Sequence, residues 1–252
     1  MQVFSARSGL LLLATLVALS GSSACATAPD LATRLTTGDR AEADKARDAG
    51  RRPAAVIGFL GIEPGMTVMD LIAAGGYYTE VLSGAVGPKG RVYAQNSEFV
   101  LKIRDGANEK AMTARLANDR LPNVERLDRE LDNLSLAPDS LDAVITALNF
   151  HDIYNGGGPE AAHAMLRAVR EALRPGGVLG LIEHAGNAGA DNEKLHRIEE
   201  SKVVAAAEKA GFVVEATSDV LRHPEDDRTQ FVFAKGLRGA TDRFVLKLRK
   251  PR

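Results

Sequence analysis

The chain has 252 residues, 45% of them hydrophobic and 26% charged, a length and composition that suit one globular domain with a substantial core. Its net charge of −1 supplies no global attraction to nucleic acid or to an acidic membrane surface. The single cysteine excludes an internal disulfide framework, and the basic end "LKLRKPR" reads as a strand followed by a solvated tail.

Residues 1–25 read as a secretory signal. Arg7 supplies a weak positive flank, "LLLLATLVAL" from Leu10 to Leu19 a short apolar core, and "SGSSACATA" the small residues of a cleavage region. The apolar run is too short for a membrane span. Small residues before Cys25 resemble a lipobox, in which Cys25 becomes the lipidated first residue; ordinary cleavage near "ACA" or "ATA" is the alternative. Either way the expectation is an exported, periplasmic protein, attached to the membrane by a lipid anchor only in the lipobox reading. Residues 26–45 read as a polar linker, and 46–252 as the folded domain.

Two short helices, broken at Pro53, open the domain, because Val56, Ile57 and Leu60 recur at helical spacing. "EPGM" is a turn. The pattern then alternates: strand "TVMDLI", helix "YYTEVLSGAV", strand "RVYAQN", a helical stretch broken near Gly106, strand "VERLDRE", strand "LDAVITALNF", helix "GPEAAHAMLRAVREAL", strand "VLGLIEH". "EKLHRIEESKVVAAAEKAG" is helical, and "FVVEATSDVL" and "DRFVLKLRK" are the last strands. Alternation of this kind predicts an α/β fold, a mostly parallel sheet with helices on both faces. The two closing strands lack an intervening helix, which predicts an antiparallel ending.

The first strand-to-helix turn is "DLIAAGGYYTE". Asp70 ends the strand, Gly75 and Gly76 permit close approach of backbone to a ligand, and the following helix aims unpaired N–H groups at the turn. The ordered set of this turn, "LSLAPDSLDAVITALNFHDIY", "LRAVREALRPGGVLGLIEH" and "AEKAGFVVEATSD" resembles the class I S-adenosylmethionine-dependent methyltransferases, in particular a branch of exported bacterial members. The resemblance runs from about Ala46 to the end. It implies a doubly wound, Rossmann-like sheet of seven strands with the last antiparallel, S-adenosyl-L-methionine as cofactor at the switch in strand order, and methyl transfer to a small-molecule or envelope acceptor. A non-catalytic ligand-binding protein of the same fold is the alternative.

By the same resemblance, Asp70, Ala74, Gly75 and Gly76 hold the methionine part and the ribose. Asn96 or Gln95 stands where a carboxylate usually accepts the ribose hydroxyls. Glu130 and Asp132 fall in the adenine loop, and Asn149, Phe150 and His151 end the fourth strand beside cofactor and substrate.

If the acceptor carries a proton, a base must take it. His151 is the candidate, with Asp152 beside it at a predicted strand end and Tyr154 lining the substrate pocket. Tyr77 or Tyr78 faces the sulfonium, or packs in the core. His151, Asp152, Glu183 and His184 sit at neighbouring strand ends and would make a metal set, but lack a fixed ligand spacing, so no metal is expected. His163, His196 and His223 read as surface residues, and "NGGGP", Asn155 to Pro159, as a lid or a long turn.

Overall fold

A computed structural model describes residues 30–252 together with the first two residues. The signal, the lipobox reading of Cys25 and the first residues of the expected linker lie outside the described residues. Among those described, no helix is long and apolar enough to cross a membrane.

The rest of the expected linker is structured. Helix α1 (Leu31–Thr37) begins where the Asp30 carboxylate accepts the N–H of Thr33 at 2.8 Å, a side-chain cap of the usual kind. Leu35 is buried, and Arg40 closes the following turn with a bidentate pair to Asp48 at 2.6 and 3.1 Å. A polar composition hid one buried leucine and one well-formed ion pair, which is enough to dock the segment. Helices α2 (Glu42–Arg51) and α3 (Pro53–Leu60) are separated by Arg52 in the left-handed region, with Pro53 at the first helical position.

Strand β1 (Thr67–Leu71), helix α4 (Tyr77–Val86), strand β2 (Arg91–Asn96), helix α5 (Glu98–Leu116) and strand β3 (Val124–Asp128) follow. Helix α5 has non-helical angles from Ile103 to Gly106, where the sequence places its break. After strand β4 (Leu141–Ala147) the chain turns at once into helix α6 (Phe150–Ala172), which breaks at Gly158. The expected strand therefore ends three residues early, and the "NGGGP" segment is mostly the end of a helical turn rather than a loop. Strand β5 (Leu173–His184), helices α7 (Asn192–Leu195) and α8 (Glu200–Lys209), and strands β6 (Val213–Ser218) and β7 (Arg243–Arg249) complete the chain.

The seven strands lie in the order β3-β2-β1-β4-β5-β7-β6. Neighbours from β3 to β5 are parallel, and β7 runs antiparallel to both β5 and β6. Strand residues alternate between two cores, as a period of two demands. Met69 and Leu71 face the layer of α6 and α8 with Phe244, Leu246 and Leu248; Val68 and Val245 face α1, α3 and α4. On the second face α3 sits so close that a Cβ on Gly180 would lie 2.3 Å from Leu60 Cδ1. Strand order reverses between β1 and β4, and a ligand crevice opens at such a point, at the carboxyl ends of the strands.

Candidate functional site

The turn from β1 to α4 is tightly wound. Ile72, Ala74 and Gly76 all have positive φ, at 58°, 50° and 85°. For a non-glycine residue this region costs about 1–2 kcal/mol, so the conformation must be held from outside. The end of β2 does so. The Gln95 side chain accepts the N–H of Ile72 at 2.9 Å and donates to the carbonyl of Arg129 at 2.6 Å. The Asn96 side chain accepts the N–H of Ala74 at 2.8 Å and donates to its carbonyl at 3.2 Å. Both amides are 0% exposed. They brace the turn instead of facing ligand space, a correction to the ribose role expected of Asn96 or Gln95.

Gly75 and Gly76 permit a close approach, but it is made by this chain. A Cβ on Gly75 would meet Ala111 Cβ at 3.1 Å, and one on Gly76 would meet Arg115 at 2.9 Å. The Arg115 guanidinium donates to the Gly75 carbonyl at 2.8 Å and to Asp44 at 2.6 Å, and also pairs with Glu80. Helix α5 and the residues before the sheet are thus tied to the turn by one side chain.

Above the turn lies a cleft of about 270 Å³ lined by Asp70, Ile72, Ala74, Gly75, Tyr78 and Asn149, and by Arg47, Arg51 and Arg115. Asp70 accepts a hydrogen bond from Thr79 Oγ1 at 2.7 Å; burial pushes its carboxyl up to about 6, against the opposing effect of Thr79. Asn149 donates to the carbonyls of Ile72 and Ala147 at 3.3 and 2.9 Å. The tyrosines differ from expectation. Arg47 and Arg51 lie over the Tyr77 ring at 4.7 and 4.6 Å, and Arg51 also over Tyr78 at 5.7 Å. The aromatic faces already carry cations, and the Tyr77 hydroxyl donates to Asp48 at 2.5 Å.

His151 and Asp152 stand in the first turn of α6 rather than on a strand end. His151 Nδ1 lies 2.7 Å from Glu183 Oε2, and its Nε2 3.3 Å from Asp152 Oδ1. Burial lowers the His151 pKa, but the carboxylates of Glu183 and Asp152 outweigh it and raise it to about 10. The two carboxylates thus favour the protonated imidazole. Asp152 is shared with His196, whose Nδ1 lies 3.1 Å away. His196 is no isolated surface residue: its ring packs against Phe231 and Phe233 at 5.3 and 5.9 Å. Tyr154 is partly buried and packs on Phe150 at 6.1 Å, against the core. Glu130 and Asp132 are exposed, and Glu130 accepts the N–H of Glu98 at 3.2 Å; neither lines the cleft over the turn.

A second, larger cleft of about 520 Å³ adjoins the first and shares Arg47 and Arg51 with it. It is lined further by Arg238, Arg243, His184, Thr241, Leu148, Val232 and Phe233, and by no carboxylate. Arg243 is 2% exposed and, among the described residues, its side chain bonds only backbone carbonyls, of Thr241 at 3.2 Å and Gly239 at 2.7 Å. Burial and the neighbouring Arg51 lower its pKa, and burial and Arg47 lower that of Arg51. His184 Nδ1 lies 2.8 Å from Thr241 Oγ1.

These arginines escaped sequence reasoning. Arg51 sits in the polar run before Pro53 and Arg243 in a strand with a basic end, so each reads as solvated. The "DRF" of Asp242 to Phe244, a charged pair leading into the apolar run "FVL" of β7, was the one available signal.

No protein-family model matches the sequence, and no curated protein matches it. Solved structures do match. A SAM-dependent methyltransferase from Aquifex aeolicus aligns over 79% of this chain and 89% of its own with a TM-score of 0.59 and 21% identity. The [4+2]-cyclase SpnF covers 81% of each chain with a TM-score of 0.58 and 15% identity. A protein of Bordetella parapertussis described as a possible exported protein covers 88% of this chain and 78% of its own, with a TM-score of 0.54 and 15% identity. Together with the strand order and the crevice at the switch point, these likenesses show that the chain has the fold of the class I S-adenosylmethionine-dependent methyltransferases.

Proposed function

We propose that the protein is an S-adenosylmethionine-dependent methyltransferase whose acceptor is a small anionic molecule. The observation that carries this reading is the pair of adjoining clefts at the switch point, one built on the β1 turn and one rich in arginine and free of carboxylates.

The turn cleft suits the amino-acid end of the cofactor. The Asp70 carboxylate can meet an ammonium, and Arg47 and Arg51 a carboxylate. The ribose end has no acid from β2, since Asn96 and Gln95 are engaged with the turn. The cofactor supplies an electrophilic methyl on a sulfonium. The chain's own task is to hold an acceptor in line with it and to exclude water. Four arginines in the larger cleft would bind a carboxylate or phosphate, while Leu148, Val232 and Phe233 face its apolar part. An anion there offsets the cost of gathering like charges in a poorly solvated place. The leader-like residues 1–25 and the likeness to a protein described as a possible exported protein support an exported location.

A second reading, ligand binding without methyl transfer, is favoured by one feature: Arg47 and Arg51 cover the tyrosine faces beside the turn. SpnF, a cyclase of the same fold, illustrates that fold alone does not fix chemistry.

Calorimetric titration of the purified chain with S-adenosylmethionine and S-adenosylhomocysteine tests the reading. Binding of both is expected, weakened at least tenfold in Asp70→Asn. No heat with either, on a folded sample, overturns the methyltransferase reading. Inorganic phosphate and phenyl phosphate then probe the larger cleft, and Arg238→Met should weaken both.

A further inference from the structure

We infer that His151, Asp152 and His196 form a binding site for one divalent transition-metal ion, with zinc the best match to the donor set. This goes beyond the methyl-transfer reading and does not depend on it.

The three ligand atoms come from two separate segments and converge. Asp152 Oδ1 lies 3.3 Å from His151 Nε2 and 3.1 Å from His196 Nδ1, and all three atoms fall within 4.8 Å of one another. Metal–ligand bonds of about 2.0–2.2 Å around a tetrahedral centre place neighbouring ligand atoms roughly 3.3–3.5 Å apart. His151 and Asp152 are consecutive in the first turn of α6, and His196 stands just past α7 with a left-handed φ of 53°. That conformation is uncommon for a residue other than glycine, and here it accompanies a ring turned back toward α6.

A second observation is the support behind His151. The Glu183 carboxylate is 0% exposed. Its Oε1 accepts the N–H of Phe150 at 2.6 Å and that of His151 at 3.3 Å, and its Oε2 accepts the N–H of His184 at 3.1 Å. Oε2 also meets His151 Nδ1 at 2.7 Å. Glu183 thus fixes which ring nitrogen faces it and leaves Nε2 to face Asp152. A carboxylate behind a histidine in this way is how metal-ligating imidazoles are oriented and made more basic. The same arrangement keeps Glu183 and His184 out of the ligand set: Glu183 backs His151, and His184 turns to Thr241. His196 takes the remaining place.

Two imidazoles and one carboxylate are a nitrogen and oxygen set suited to zinc or to another first-row divalent ion. Three protein ligands leave a coordination position open, as in catalytic rather than structural sites. The site borders the arginine-rich cleft through Phe233, which packs on His196 at 5.9 Å and lines that cleft.

The test uses the full chain without a histidine tag, as Cys25→Ser so that the lone thiol contributes no ligand. After chelator treatment it is titrated with zinc chloride by calorimetry and with cobalt chloride by visible absorption. One equivalent of zinc should bind, and cobalt should give the visible bands of a four- or five-coordinate site that zinc then abolishes. His196→Ala and Asp152→Ala, both at partly exposed positions, should each weaken zinc at least 100-fold and remove the bands while keeping the native circular dichroism. Glu183→Gln should weaken zinc about 10- to 100-fold, and His163→Ala should not change it. No stoichiometric zinc on the folded chain overturns the inference and leaves a hydrogen-bonded His–Asp–His chain. Zinc binding that survives either His196→Ala or Asp152→Ala overturns it equally.

Discussion

Asn96 and Ala74 bond each other reciprocally: the side-chain oxygen accepts the Ala74 N–H at 2.8 Å, and the side-chain nitrogen donates to the Ala74 carbonyl at 3.2 Å. An aspartate at 96 would keep the acceptor, lose the donor and set a carboxylate oxygen against the Ala74 carbonyl in a fully buried place. Asn96→Asp should destabilise the protein by about 2–3 kcal/mol, read as a lower urea midpoint with unchanged m-value. A neutral effect would show that the amide donor is dispensable to the turn.

Ala74 itself adopts φ of 50°. Ala74→Gly removes a left-handed penalty of about 1–2 kcal/mol and adds roughly 0.5–1 kcal/mol of chain entropy cost. The expected net is stabilisation of about 0.5–1 kcal/mol, seen as a melting temperature raised by a few degrees. Ile72→Gly is not equivalent, because the Ile72 side chain is buried in the core and its loss costs more than the relieved strain.

Burial raises the Asp70 carboxyl from its ordinary value to about 6. The folded state then holds its proton more tightly than the unfolded chain does. Asp70 favours folding most below about pH 4, where both states are protonated. That contribution falls as pH rises toward 6 and is constant above it. Binding of a cationic ammonium needs the ionised form, so affinity for S-adenosylhomocysteine should fall about tenfold per pH unit below 6. Calorimetry between pH 5 and 8 checks this, and Asp70→Asn should flatten the profile.

Arg51 lines both clefts, and among the described residues no carboxylate pairs with it within 4.0 Å. Its contacts are the rings of Tyr77 and Tyr78 at 4.6 and 5.7 Å. Replacing an enclosed, unpaired guanidinium by an apolar side chain of similar length relieves desolvation and repulsion from Arg47. Arg51→Met should raise stability by about 1 kcal/mol while weakening phosphate binding several-fold. A stability loss together with unchanged phosphate binding would mean that Arg51 is a structural residue.

Much of the architecture was readable from local pattern. Strand β2 spans the "RVYAQN" expected of it, α5 breaks beside Gly106, and α2 and α3 meet before Pro53. The helix-less stretch before the last strand correctly announced the antiparallel β7. Reading failed where one or two residues decide. Asn149 to His151 follow an apolar strand run and look like its continuation, yet Glu183, 33 residues downstream of Phe150, captures the Phe150 N–H and begins a helix there. The linker reading failed for the same kind of reason: Leu35 and the Arg40–Asp48 pair dock a segment whose composition is otherwise that of solvated chain.

By itself the sequence determined the order of elements, the hydrophobic alternation that builds a two-faced sheet, and the place of the β1 turn at a crevice. These follow from periodicity, turn residues and chain order, all of which are local. Only the tertiary structure decided what the polar residues do. It turned Asn96 and Gln95 onto the turn, raised His151 between two carboxylates, and gathered arginines from before β1 and from the last loop into one cleft. It also brought His196 to Asp152. Side-chain partnership across tens of residues is set by how helices and loops pack on the sheet edge. The type of a residue fixes which bonds it can make, and its surroundings fix which of them it makes.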